Sequence, residues 1–264
     1  MNGPVSLLIA LVSYGNAYFA NGDKAPTLDF NNSTLIYNST LTFSEKTSGD
    51  PNKLIAENPK GWFNFLKKAG CKKLEIHYSH SNQGSDFQSA GFVGGGGNWF
   101  IEAKYNTHSD YWVYSESVLK KNAPDKRIWG TSLTVIKNTK PSPLQSLPIN
   151  EARQNLHIAL TKIAEFAANQ KINFWKTVFD KANNNLTNPN PQVDYYKDFV
   201  ISERLSLKAK QLLFSASLAD VFGGMGSWND QFFSKEAEPV NTKLSAELFD
   251  KINDAVIAAI NNGD

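Results

Sequence analysis

RIWGTSLTVIKNTKPSPLQSLPINEARQNLHIALTKIAEFAAN, residues 127–169, changes its period part-way along, and that change decides the fold class. Arg127 to Lys137 reads as a strand, because β-branched and apolar residues recur at short spacing. Pro141, Pro143 and Pro148 then interrupt any regular structure and mark a boundary within residues 138–148. After them the apolar residues Leu156, Ala159, Leu160, Ile163, Phe166 and Ala167 fall on one helical face, with Asn150 placed to cap it.

Upstream of the boundary the chain reads mainly as strands. Trp99–Tyr105 and Tyr111–Ser117 join the 127–137 strand through short links, 106–110 and 120–126, which predicts an antiparallel meander. Lys73–His80 alternates, with Leu74, Ile76 and Tyr78 on one side and Glu75, His77 and Ser79 on the other. Asn58-Pro59 opens a helix over about 59–69, with Trp62, Phe63, Phe65 and Leu66 inward and Gly70 as its stop. Residues 33–43 predict a half-buried strand, with Leu35, Tyr37, Leu41 and Phe43 inward; residues 44–57 and 81–98 read as loops. The apolar run Val5–Val12 predicts a buried strand over 5–14, too short to span a membrane. The small-x-small sequence Gly15-Asn16-Ala17 leaves secretion open if residues 1–17 act as a signal peptide. No Lys or Arg precedes the run, so a cytoplasmic location is the favoured expectation.

Downstream, three more helices follow: one carrying Ile172, Trp175, Val178, Phe179, Ala182 and Leu186, one over 207–222 capped by Ser206, and one over about 241–261. A strand block before a helix block predicts an α+β fold: an antiparallel sheet of five or six strands from the N-terminal half, packed on a C-terminal layer of about four helices. Residues 1–148 and 149–264 are expected to form one integrated domain, since such wide apolar faces need the sheet as well as each other.

Composition excludes several functional classes. The 27 basic and 25 acidic residues are scattered, giving a formal charge of +2, so no nucleic-acid partner is expected. The single cysteine, Cys71, excludes an intramolecular disulfide and a thiolate metal cage. It reads as a buried small residue. Four Asn-x-Ser/Thr sequons occur, at Asn31, Asn32, Asn38 and Asn185. Aromatic residues make up 12% of the chain, so ring packing should dominate the core.

Three places hold candidate chemistry. Glu75 and His77 share one strand face and could run acid–base chemistry, joined by Glu102 if its strand faces the same way. No metal-ligand spacing on a helix accompanies them, so no metal and no cofactor is expected. The string Gly94-Gly95-Gly96-Gly97-Asn98-Trp99 frees the backbone for close approach to a ligand, although the Gly-Lys-Ser/Thr of a phosphate loop does not follow. Gly223-Gly224-Met225-Gly226-Ser227-Trp228-Asn229-Asp230 places small polar groups around a Trp. The leading expectation is a non-catalytic binding protein whose aromatic pocket is lined by Gly96, Asn98, Trp99, Ser227, Trp228 and Asn229 and takes a small ligand or a protein partner. The alternatives are a hydrolase using Glu75, His77 and a further carboxylate, Glu102 or Asp230, and an assembly component with an exposed aromatic patch.

Overall fold

The computed structural model describes residues 1–47, 52–81, 84–140 and 145–263. Among these it comprises helices α1 (Gly3–Asn21), α2 (Pro59–Lys68), α3 (Asp86–Ser89), α4 (Ile149–Asn169), α5 (Asn173–Asn185), α6 (Leu207–Ala219) and α7 (Glu238–Asn261). Its strands are β1 (Asn38–Glu45), β2 (Lys53–Ala56), β3 (Lys73–Ser79), β4 (Asn98–Lys104), β5 (Ser109–Val118) and β6 (Trp129–Thr139). The fold is therefore α+β. Pro141 and Pro143 lie outside the described residues.

The strands form one sheet in the order β2-β1-β6-β5-β4-β3. The meander β3-β4-β5-β6 is antiparallel throughout, as is β1 with β2. The expectation of a purely antiparallel sheet needs one correction, because β1 runs parallel to β6. A parallel pair needs a long crossover, and here everything from β2 to β5 lies between its two members. Sequence periodicity marks a strand but not its direction.

The largest correction concerns residues 5–14, which form the middle of a helix and not a strand. The Asn2 side chain accepts a hydrogen bond from the Val5 N–H at 2.9 Å, and Pro4 sits in the first turn. Both are helix-start features. Leu8, Ile9, Ala10, Leu11 and Val12 are completely buried, so this helix is apolar all round because it is surrounded. It packs on β3 and β4 and also touches α2 and α7. The stretch Gly3–Lys24 is long and apolar enough to cross a bilayer by length and composition, and 61% of its most apolar window is packed inside the fold.

Smaller differences have local causes. Residues 33–37 turn instead of extending, because the Asn32 side chain accepts from the Thr34 N–H at 3.0 Å and its hydroxyl at 2.7 Å. The expected loop 44–57 contains β2, and the loop 81–98 contains α3. Helix α4 starts after Pro148 with no side-chain cap, and Asn150 accepts from Lys208 Nζ at 3.1 Å instead. Helix α6 stops at Ala219, short of Gly223. At Asp220 the backbone leaves the helix, and its carboxylate accepts the Asn2 N–H at 3.0 Å. Helix α7 begins three residues early, with Pro239 in its first turn.

One contiguous set of buried apolar side chains runs from α1 through the sheet to α7. At its centre Phe43 stacks on Trp62 at 4.5 Å and Trp112 meets Trp62 edge-on at 5.3 Å. The inward sheet face carries Leu41, Phe43, Leu74, Ile76, Ile101, Trp112 and Leu133, all completely buried. The opposite face carries Glu75, His77, Phe100, Glu102, Tyr111 and Val113, in register across β3, β4 and β5.

Candidate functional site: a cleft between two glycine loops

At one end of the sheet the inward face is not fully covered. A cleft of about 480 Å³ opens there, within the range of small-molecule sites. Trp99 from β4, Tyr114 and Glu116 from β5 and Trp129 from β6 line it together with the start of α1. Its remaining walls are the loop 90–98, which follows α3, and Phe222-Gly223-Gly224, which follows α6.

The loops that carry the two glycine strings, over a hundred residues apart in sequence, touch each other here through Gly91 and Gly223. A Cβ on Gly91 would lie 2.3 Å from the Gly223 carbonyl carbon and 2.5 Å from its oxygen, so only glycine allows this approach. Gly97 combines a φ of +83° with a ring contact, since a Cβ there would lie 2.4 Å from the Tyr78 ring. The Asn229 side chain ties the second loop to α3 by donating to the Phe87 carbonyl at 2.8 Å.

The candidate residues from the sequence separate into three groups. Gly96, Asn98 and Trp99 line the cleft. Ser227, Trp228 and Asn229 stand behind it and build the loop: the Ser227 hydroxyl donates to the Gly223 carbonyl at 3.0 Å and accepts from the Asn229 N–H at 3.2 Å. Trp228 is buried, donates from its indole N–H to Ser245 at 2.8 Å, and meets Phe179 edge-on at 5.1 Å. Asp230 accepts from the Gly226 N–H within the same loop.

Glu75 and His77 form the third group, on the opposite sheet face, and Glu102 joins them. The His77 Nε2 lies 2.8 Å from Glu102 and 4.0 Å from Glu75. Asp230 is engaged in its own loop and is not part of this cluster.

Sequence reasoning missed three features of the cleft. Glu116 contributes its carboxylate, which accepts from the Tyr114 hydroxyl at 2.6 Å and has no Lys, Arg or His partner among the described residues. Burial first, then the Glu116 carboxylate, pushes the Tyr114 hydroxyl far above its usual range, so it stays a donor. The start of α1 carries the apolar run that predicts a strand, and a strand there has no place in the wall. Asp86 anchors the first loop: it accepts from Tyr78 at 2.6 Å, from Ser81, and lies 3.0 Å from His80 Nδ1. Burial opposes its ionisation, but these hydrogen bonds outweigh burial and hold its carboxyl below the usual range. The spacing Tyr78, His80, Asp86 was the available signal, and only the turn between β3 and α3 brings the three together.

Compared with known proteins, the chain matches no family model, no curated protein and no solved structure.

Proposed function

We propose that this chain is a binding protein that holds a small ring-bearing molecule in the cleft between the two glycine loops. The observation that supports this reading is the convergence of the 90–98 and 222–224 loops, through the Gly91–Gly223 contact, on one aromatic-lined cleft. Tertiary contacts fix the backbone on both sides, so the cleft is pre-formed, which reduces the ordering cost of binding.

The lining defines the ligand chemistry. Trp99, Tyr114 and Trp129 offer ring faces for stacking. Glu116 is the only charged residue among those lining the cleft, so it selects a hydrogen-bond donor or a positive charge on the ligand. A sugar or an aromatic amine satisfies both demands, whereas an anion meets an unscreened carboxylate.

Tryptophan emission tests this directly. Monosaccharides and aromatic amines are titrated into the wild-type chain and into Trp99→Phe, Trp129→Phe and Trp228→Phe. The expected response shrinks in Trp99→Phe and Trp129→Phe and persists in Trp228→Phe, whose ring is in the core. Glu116→Gln should weaken binding roughly ten- to a hundredfold, the worth of a hydrogen bond to a charged group. A response that only Trp228→Phe removes, or no response to any probe, overturns the reading.

A further inference from the structure

On the sheet face away from the cleft, β3 and β4 set Glu75 directly across from Glu102, and His77 one pleat along on the same face. His77 and Glu102 are 3% and 1% exposed, whereas Glu75 keeps 15% of its side chain in solvent. We propose that Glu75, His77 and Glu102 bind a divalent transition-metal ion of the zinc class.

The donor set fits such an ion. Imidazole nitrogen and carboxylate oxygen are ordinary ligands for zinc, cobalt and manganese. One ligand atom from each residue falls within a group no more than 4.8 Å across. Metal–ligand bonds of about 2.0–2.2 Å in a tetrahedral site separate neighbouring ligand atoms by about 3.3–3.6 Å. The two distances from His77 Nε2, 2.8 Å to Glu102 and 4.0 Å to Glu75, bracket that separation. About half an ångström of adjustment at each of these two distances, and at most about 1.5 Å between the two glutamates, admits the ion, and glutamate rotamer changes supply it.

The surroundings orient each ligand. The Ser109 hydroxyl donates to Glu102 Oε1 at 2.5 Å and leaves Oε2 toward His77. The imidazole stacks on Phe100 at 5.4 Å with the planes 23° apart, which fixes the ring plane. Outer partners of this kind hold ligands in place in metal sites. Three protein ligands leave a fourth coordination position to be filled by a further group.

Lys73 and Lys104 supply the competing account. They approach Glu75 at 3.1 and 3.0 Å, and their two positive charges offset the two carboxylates. As a pure ion-pair network the cluster needs no metal. As a metal site it holds its ion against these lysines, which are 40% and 39% exposed; Lys73 is also held by the Asn261 carbonyl at 2.6 Å, so Lys104 is the one to displace. The two accounts predict opposite outcomes when Lys104 is removed.

The test uses the full chain stripped with chelator, then titrated with Co²⁺ by visible absorption and with Zn²⁺ by calorimetry. One saturable equivalent is expected. Glu75→Gln and His77→Gln should each weaken it by at least the roughly 10- to 100-fold typical of orienting partners, and Lys104→Met should tighten it. Glu75 is partly exposed, so Glu75→Gln and Lys104→Met decide the matter even if His77→Gln does not fold, with circular dichroism as the check. No saturable binding overturns the proposal. So does binding unchanged in both Glu75→Gln and Lys104→Met, or binding lost only with His80→Gln, which would move the ion to the His80–Asp86 pair.

Discussion

Cys71 shows how burial sets reactivity at a single residue. It sits 6% exposed after Gly70, and burial raises its thiol pKa to about 12. The thiolate is the reactive form, so the native thiol should resist iodoacetamide at about pH 9, near the ordinary cysteine pKa, and react once urea unfolds the chain. The same shift has a stability consequence. A pKa raised in the fold contributes stability that is complete below the unfolded value, about 8.5, and is lost as pH rises toward 12. Cys71→Ala should therefore flatten part of the alkaline decline in denaturant midpoint; rapid native alkylation would contradict this account. The sequons follow similar logic. Asn32, Asn38 and Asn185 are buried, and their amide nitrogens donate to the Asp198 carbonyl, the Thr131 hydroxyl and the Gln192 carbonyl. The nitrogen that would carry a glycan is already used inside the fold, and Asn31 is the exposed one of the four.

At the scale of elements, the free edge of β3 carries the most specific arrangement. An edge strand leaves N–H and C=O groups unpaired and invites aggregation. Here the Asn16 side chain from α1 bonds both the N–H and the carbonyl of Leu74, at 2.8 and 2.9 Å. The Asn261 side chain from α7 does the same for Ile76, at 2.9 Å each way. Two asparagines thus replace the missing strand. Asn261→Ala orphans two buried backbone groups at about 1–3 kcal/mol each. The expected result is a lower urea midpoint and greater aggregation near the transition, measured by circular dichroism and light scattering; a midpoint within error of wild type would refute the role. Neither asparagine is conspicuous in the sequence. Their function depends on where two helices meet a strand far away in the chain.

At the scale of the whole molecule, α1 joins the sheet to the helices. Its buried residues belong to the same apolar cluster as Trp112 in β5 and Ile252 in α7. We expect one cooperative unfolding transition, with tryptophan emission and far-ultraviolet ellipticity superimposing. Two resolved transitions would show that the strand and helix blocks fold separately. The cleft also belongs to this scale, since α1, the sheet end and the loops after α3 and α6 each supply a wall.

The amphipathic segments were legible in the sequence: the meander, α2 with its Asn58 cap and Gly70 stop, and α4, α5 and α7; α6, buried on nearly every side, was legible from its length and its Ser206 cap. Period and capping are local, and a half-buried element records its own orientation in the alternation of its side chains. Segments buried on all sides carry no such record, which is why the run at Val5–Val12 read as a strand and proved to be the central helix. For the candidate sites, the sequence supplied Glu75, His77, Gly96, Asn98 and Trp99. It was silent on Glu116 and on the contact between Gly91 and Gly223, and it put Trp228 beside a ligand when the ring lies in the core. Hydrophobic periodicity by itself determined which segments become regular and which faces they bury. The direction of β1 beside β6, the meeting of Glu102 with His77 and the closing of two glycine loops on one cleft were decided only by tertiary structure, because each joins residues whose contact depends on how all the intervening elements pack.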